Sequence, residues 1–200
     1  MSAQIILASA SPRRKELLAQ INVTVLIHPV DLDETPLPNE QPLAYVQRIA
    51  SEKSALCAAT LNTKSAAILN SDLPVLAADT AVVIDNRILG KPKDQKDGIT
   101  MLSLLSGRTH QVYTALSLRG TQHWQAVSIT DVTFRNLTEV EILAYWNTGE
   151  PSDKAGGYAI QGQASLFVAS INGSYSGVMG LPLFETAELL AKQGIHLLYE

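Results

Sequence analysis

The stretch from Ile5 to Leu18 constrains the fold more than any other part of the chain. An apolar run, Ile5-Ile6-Leu7, stops at the small residues Ala8-Ser9-Ala10, and Ser11-Pro12-Arg13-Arg14-Lys15-Glu16-Leu17-Leu18 follows. The run predicts a strand over residues 5–9. Ser11 suits an N-cap and Pro12 the first helical position, where a missing N–H costs nothing, so a helix is predicted over 12–21. Free backbone donors at that helix start, the hydroxyls of Ser9 and Ser11, and the guanidinium groups of Arg13 and Arg14 therefore meet just past a strand end. That combination suits a phosphate chain.

Strand and helix signals alternate through the first half. Residues 23–28 read as a strand and 29–42 as a proline-rich acidic loop holding Asp31, Asp33 and Glu34. Residues 43–59 read as a helix with Val46, Ile49, Ala50 and Cys57 on its apolar stripe. Residues 75–78 and 81–85 are strand-like on either side of Asp79-Thr80, with Asn86-Arg87 as a turn and a helix over 95–105 that stops at Gly107. Long strands over 111–118 and 126–134 join around Arg119-Gly120 as an antiparallel pair. Thr138 and Glu141 have capping-box spacing before a helix over 142–146, residues 165–171 read as a strand, and 183–192 form a closing helix. The expected architecture is mixed α/β: a curved mixed sheet flanked by helices, in two lobes with a cleft between them, one domain over residues 1–200.

Composition limits what such a fold can do. The net charge is −4, so no global basic field exists to hold a long nucleic acid, and a polyanion site must be a local cluster for a small phosphorylated ligand. Cys57 is the single cysteine, which excludes an intrachain disulfide and suits a small core residue. No apolar run approaches the ~20 residues that span a bilayer, and Pro12-Arg13-Arg14-Lys15 follows the first apolar run too closely for a secretory signal. The expectation is a soluble cytoplasmic protein.

Lys53 shares the apolar helix face with Val46, Ile49 and Cys57. It is either a snorkelling lysine at the stripe's edge or a cation turned into a cleft to meet an anion. Asp79 places a carboxylate in the middle of Ala77-Ala78-Asp79-Thr80-Ala81-Val82-Val83, where it needs a partner, a metal or a raised pKa. Such a group can activate water as a general base or bind Mg²⁺ through oxygen. Gly90-Lys91-Pro92-Lys93 is a short basic turn. In Asp153-Lys154-Ala155-Gly156-Gly157-Tyr158-Ala159-Ile160-Gln161-Gly162, paired glycines permit close approach of backbone to a ligand that Asp153, Lys154 and Gln161 can contact. No P-loop or dinucleotide-binding glycine fingerprint is present, and His28, His110, His123 and His196 are too scattered for a zinc site. The Gly173-Ser174-Tyr175-Ser176-Gly177 string follows a turn, which does not suit a nucleophile elbow.

Together these segments resemble the Maf family of nucleotide pyrophosphatases, first discussed as septum-formation inhibitors. The resemblance rests on Leu7-Ala8-Ser9-Ala10-Ser11-Pro12-Arg13-Arg14, Asp33-Glu34, Glu52-Lys53, Ala78-Asp79-Thr80, Gly90-Lys91-Pro92, Ser106-Gly107 with Thr109-His110, Asp153-Lys154-Ala155-Gly156, Ile160-Gln161-Gly162 and Gly180-Leu181-Pro182. These keep the family's order over nearly the whole chain. Ala78 stands where many relatives have glycine, and Lys93 where an arginine is common, which keeps the charge but loses a bidentate fork.

The resemblance implies a fold similar to inosine-triphosphate pyrophosphatases, a homodimer, and hydrolysis of a nucleoside triphosphate to monophosphate and pyrophosphate with Mg²⁺ or Mn²⁺. Arg13, Thr80 and Gln161 match the residues that mark the family's dTTP/UTP branch. On this reading Arg13, Arg14, Lys53 and Lys91 screen the triphosphate, with Ser9 and Ser11 binding it. Asp79 with Glu34 holds the metal, and Asp79 orients or deprotonates the water that attacks the α-phosphate, with Lys53 and Arg14 in the catalytic set. Thr80 and Gln161 read the pyrimidine edge. The competing readings are a nucleotide-binding regulator of cell division that acts through a protein partner, and a nucleic-acid binder built on Arg13-Arg14-Lys15. The acidic balance and the lack of interleaved aromatics oppose the last.

Overall fold

Strand β1 (Ile5–Leu7) is buried along its whole length. Parallel strands β2 (Val25–Ile27) and β3 (Val75–Ile84) pair with its two edges. Ile5 and Leu7 pack among Leu17, Leu18, Leu189 and Leu190 on one face, and Ile6 packs with Cys57 on the other. The computed structural model describes residues 2–63 and 73–198. After β1 come α1 (Pro12–Gln20), β2, α2 (Pro42–Thr63), β3, β4 (Arg87–Leu89), α3 (Gln95–Leu105), β5 (Thr109–Arg119) and β6 (His123–Phe134). The chain then forms α4 (Glu139–Trp146), short 3-10 turns, β7 (Val168–Asn172), α5 (Tyr175–Met179) and α6 (Leu183–Lys192). The seven strands make one mixed sheet in the order β2-β1-β3-β5-β6-β7, with β4 on β3. β3, β5, β6 and β7 pair antiparallel.

Alternation along β3 sorts its residues between two cores. Asp79, Ala81 and Val83 face α2, where Val46, Ile49 and Ala50 pack against the latter two. On the other face, Leu76 and Ala78 join a cluster with Leu17 and Leu18 of α1 and Leu189 and Leu190 of α6. Val82 and Ile84 join a second cluster with Leu102 and Leu105 of α3 and Ile142 and Tyr145 of α4. Burying each of these leucines stabilises by roughly 1.5–3 kcal/mol, which seats the helices on the sheet. Thr80 lies between the two clusters and is the one β3 residue not fully buried.

Several expected boundaries move for local reasons. β3 runs unbroken through Asp79-Thr80, because β5 pairs with it continuously from Val75 to Val83. The tight turn after β3 is Asp85-Asn86, both at positive φ (51° and 60°), and Arg87 already belongs to β4. The strand expected from residue 165 starts only at Val168, because Gln163–Phe167 coils into a 3-10 turn. The Gln163 and Ala164 N–H groups there reach the Glu150 carboxylate at 3.1 and 3.5 Å. α2 begins at Pro42 and extends beyond residue 59. α5 has no counterpart among the expected elements; Ser174 caps it by accepting from Gly177 N at 3.0 Å. The capping box of Thr138 and Glu141 forms as its spacing predicts.

Candidate active site

The other edge of β3 pairs with β1 only as far as Leu76, and with β4 only from Val82. Between those points it meets no other strand among the described residues. That gap falls at Asp79 and Thr80.

α1 starts beside the gap with its cationic groups poorly matched by anions. Ser11 occupies the N-cap position, but its side chain makes no capping bond, and the first turn holds no acidic residue. Ser9 Oγ accepts from the Ser11 N–H at 3.2 Å and from Arg14 Nη1 at 3.1 Å, leaving its own proton for a ligand. Arg14 Nε donates to the Gly180 carbonyl at 2.8 Å, and Nη2 approaches Thr80 Oγ1 at 3.4 Å. Arg13 Nε reaches the Met179 carbonyl at 3.4 Å. Burial lowers the Arg14 pKa, opposed by the charge of Asp79. Among the described residues Arg14 has no carboxylate at ion-pair distance, so its charge is held by neutral acceptors. A half-buried cation so placed attracts an anionic ligand. Gly180 serves this arrangement through its φ of +111°, and a Cβ there would lie 3.4 Å from Thr80 Oγ1 and 3.5 Å from Arg14 Nε.

On the opposite face of β3, Lys53 settles its two readings by turning inward. Its Nζ lies 2.8 Å from Asp79 Oδ1 and 2.6 Å from Glu34 Oε1. Lys53 is 9% and Asp79 5% exposed. Asp79 Oδ2 is buried and has no hydrogen-bond partner among the described residues. Burial pushes the Asp79 carboxyl up from its usual range against the pull of Lys53 and Arg14, and Glu34 adds to the rise. The loop that carries Glu34 is clamped to α2. Tyr45 Oη donates to the Glu34 carbonyl at 3.0 Å, and Arg48 grips both Glu40 oxygens at 2.6 and 2.7 Å. Arg48 Nη2 also reaches the Thr35 carbonyl at 3.3 Å.

These groups surround one cleft of about 420 Å³. Ser9, Ser11, Arg13, Arg14, Glu34, Lys53, Asp79, Thr80, Lys91 and Gln161 all line it. Asp153 and Lys154, which pair with each other, line it too. The cleft also has an apolar part that the sequence did not disclose, formed by Val82, Val112, Tyr158, Ile160, Val178 and Met179. Gly156 fits its loop against that part: its N–H donates to the Gly90 carbonyl at 3.0 Å, and a Cβ would meet Val82 at 2.9 Å. Thr109-His110 and Ser106-Gly107 do not line the cleft. His110 instead supports it from below, with Nε2 2.8 Å from Tyr158 Oη. Sequence reasoning missed Tyr45, Arg48, Tyr158 and the Met179 and Gly180 carbonyls. Only Tyr158 and Gly180 lay in motifs that gave a signal.

The family profile for Maf-like protein matches residues 4–193. The dTTP/UTP pyrophosphatase of Saccharophagus degradans is 51% identical over 190 residues, covering 94% of this chain and 88% of that one. The dTTP/UTP pyrophosphatase of Methylococcus capsulatus is 51% identical over 193 residues, covering 96% and 92%. Among solved structures, the Staphylococcus aureus Ham1 protein aligns with a TM-score of 0.44 at 16% identity over 65% of this chain and 71% of that one. A profile match over almost the full length, and relatives identical at about half their positions when matched nearly end to end, show that the chain belongs to the Maf family.

Proposed function

We propose that the chain hydrolyses dTTP and UTP between the α- and β-phosphates, releasing the nucleoside monophosphate and pyrophosphate. The observation that carries this reading is the Lys53 ammonium between Asp79 and Glu34, with a buried unpaired Asp79 oxygen in the same cleft as Arg14. The names of the relatives from S. degradans and M. capsulatus agree with the substrates.

In this scheme Arg13, Arg14, Lys91 and the free donors at the start of α1 bind the triphosphate and neutralise the departing pyrophosphate. Asp79, proton-hungry because it is buried, takes a proton from water as the water oxygen bonds to the α-phosphorus and the bond to the bridging oxygen breaks. Lys53 holds Asp79 and Glu34 in place before substrate arrives. Glu34 and Asp79 also fit a divalent cation, since both offer carboxylate oxygen and one Asp79 oxygen lacks a partner. No group of three or more His, Cys, Asp or Glu side chains converges among the described residues, so Glu34 and Asp79 would hold the ion together with substrate phosphates. A bound Mg²⁺ or Mn²⁺ would screen the phosphate charge and activate water. Thr80 and Gln161 read the base. The net charge of −4 favours free nucleotides over long nucleic acids as partners. No helix among the described residues is long and apolar enough to cross a membrane. The scheme takes the cytoplasmic location from the sequence reading and the homodimer from the family resemblance.

The test is a panel of nucleoside triphosphates with Mg²⁺ or Mn²⁺, and with EDTA as control, the products being separated by chromatography. Monophosphate plus pyrophosphate from dTTP and UTP, lost on chelation, is the expected result. Diphosphate plus orthophosphate would place the cut at the wrong bond, and tight binding without turnover would favour a regulator.

A further inference from the structure

The wall of the cleft at Thr80 carries a chain of hydroxyls whose direction is fixed. Thr80 and Thr114 are directly opposed in β3 and β5, and their Oγ1 atoms lie 2.9 Å apart. Thr114 Oγ1 also lies 2.8 Å from the Gly177 carbonyl oxygen. A carbonyl has no proton to give, so this second contact takes the one hydroxyl proton of Thr114. Thr114 must then accept from Thr80. The Thr80 hydroxyl spends its proton on Thr114 and faces the cleft with lone pairs alone, as the approach of Arg14 Nη2 at 3.4 Å requires. The reverse order would set lone pairs of Thr114 and Gly177 against each other at a fully buried position, which is costly.

Thr80 also stands where a base would pass it. The next residue on its face of β3 is Val82, paired across the strands with Val112, and both belong to the apolar part of the cleft. The cationic part begins at Arg14 on its other side. A planar base lodged between Val82, Val112 and Tyr158 would bring a polar edge to the Thr80 hydroxyl.

We infer that Thr114 is a positioning residue for base specificity: by fixing the Thr80 hydroxyl as an acceptor, it selects bases that present an N–H at N3. Uracil and thymine carry a proton on N3, the one donor on that edge. Cytosine carries a lone pair there, which the acceptor repels. The inference rests on the pyrimidine-triphosphate reading above and adds the group that sets the sign of the recognition. Thr114 itself lies beneath Thr80, out of reach of the ligand.

The test compares kcat/KM for UTP, CTP and 3-methyluridine triphosphate, which lacks the N3 proton, in the wild type, Thr114→Val and Thr114→Ser. Valine keeps the β-branched shape, and the Gly177 carbonyl retains the Gly180 N–H at 3.0 Å. In the wild type, UTP is favoured about tenfold or more over both other nucleotides, the scale of one unmatched polar contact. Thr114→Val frees the Thr80 proton and lowers the UTP/CTP ratio about tenfold, while Thr114→Ser keeps it. Equal losses for UTP and CTP in Thr114→Val, or an unchanged ratio, would overturn the inference. So would wild-type turnover of 3-methyluridine triphosphate as fast as UTP, a result that needs no variant to fold. If the wild type hydrolyses none of the three, the proposed activity fails. The same ratios read as dissociation constants by calorimetry then decide the role of Thr114 separately.

Discussion

Asp79 and Thr80 are neighbours in β3 and project to opposite faces of the sheet, yet both line the same cleft. They can do so because β1 leaves the edge of β3 at Leu76 and β4 joins it only at Val82. Asp79 meets Lys53 from α2 on one side, and Thr80 meets Thr114 and Arg14 on the other. In the proposed scheme a ligand entering the gap would meet the water-activating carboxylate from one face and the base-reading hydroxyl from the other. On that scheme two consecutive residues serve separate tasks without competing for space.

Replacing Asp79 with asparagine keeps the shape and removes the proposed base. Turnover should fall by roughly 10²–10⁴-fold, the range for loss of a positioned general base. Lys53 keeps Glu34 as its partner at 2.6 Å, so the melting temperature and nucleotide affinity should change little. Steady-state kinetics beside calorimetric titration checks both parts, and full activity in this variant would remove Asp79 from the reaction.

Lys53→Met should cost more in stability than its single charge suggests. It leaves Asp79, 5% exposed, without its ion-pair partner and near Glu34, a situation that costs about 3–5 kcal/mol. The double variant Lys53→Met/Asp79→Asn should recover most of that loss, since the stranded charge is gone. Urea unfolding of the two single variants and the double variant at pH 7 measures the coupling. Additive losses would contradict the pairing.

The clamp on the Glu34 loop predicts a kinetic effect from residues outside the cleft. Tyr45→Phe removes the hydroxyl that donates to the Glu34 carbonyl, and Arg48→Met releases Glu40. Each should lower kcat/KM by roughly tenfold and raise the Mg²⁺ concentration for half activity, because loose positioning of reacting groups is costly in rate. Arg48 holds the Glu40 carboxyl down to about 2, so the clamp stays charged, and activity should not lose it, at any pH above about 4. Metal titrations that superimpose on the wild type would show that the clamp does not position Glu34.

His110 gives a pH signature of stability. Burial lowers its pKa from 6.5 to about 4, so it is neutral at pH 7 beneath Tyr158. The unfolded chain binds this proton more readily than the folded one, so stability is fully present above about 6.5 and falls as pH drops toward 4. The slope approaches 1.4 kcal/mol per pH unit for one such group, and roughly 3 kcal/mol is the upper limit of the loss. Comparing urea unfolding of wild type and His110→Gln between pH 7 and pH 5 isolates this group, because the other titrations are shared. Parallel curves would assign the pH dependence elsewhere.

Much of the architecture was legible where the signal is local. Ser11-Pro12 marked the start of α1, Thr138 and Glu141 marked α4, and the bounds of α3 and α6 matched their apolar periods. Boundaries failed where a distant partner decides them. The Glu150 carboxylate coils residues 163–167, and continuous pairing with β5 carries β3 through an aspartate that alone would break a strand. Lys53, Asp79 and the cluster of Ser9, Ser11, Arg13 and Arg14 were readable one by one, because charge and small hydroxyls in apolar settings are conspicuous. Glu34, Thr80, Lys91 and Gln161 took on their site roles only through the family's order of motifs.

The sequence by itself determined which groups are present: the cations near α1, the lone carboxylate in β3, the lysine on an apolar helix stripe, and the order of motifs that the family shares. Tertiary structure decided what those groups face. Lys53 could have snorkelled, and only the packing of α2 on β3 places its ammonium between Asp79 and Glu34. Thr114 carried no signal at all, since a threonine in a strand is ordinary. Its register opposite Thr80, and the arrival of the Gly177 carbonyl from α5, give its hydroxyl a direction. Hydrogen-bond polarity and ion-pair geometry depend on distances between segments far apart in the chain, and local residue order does not encode those distances.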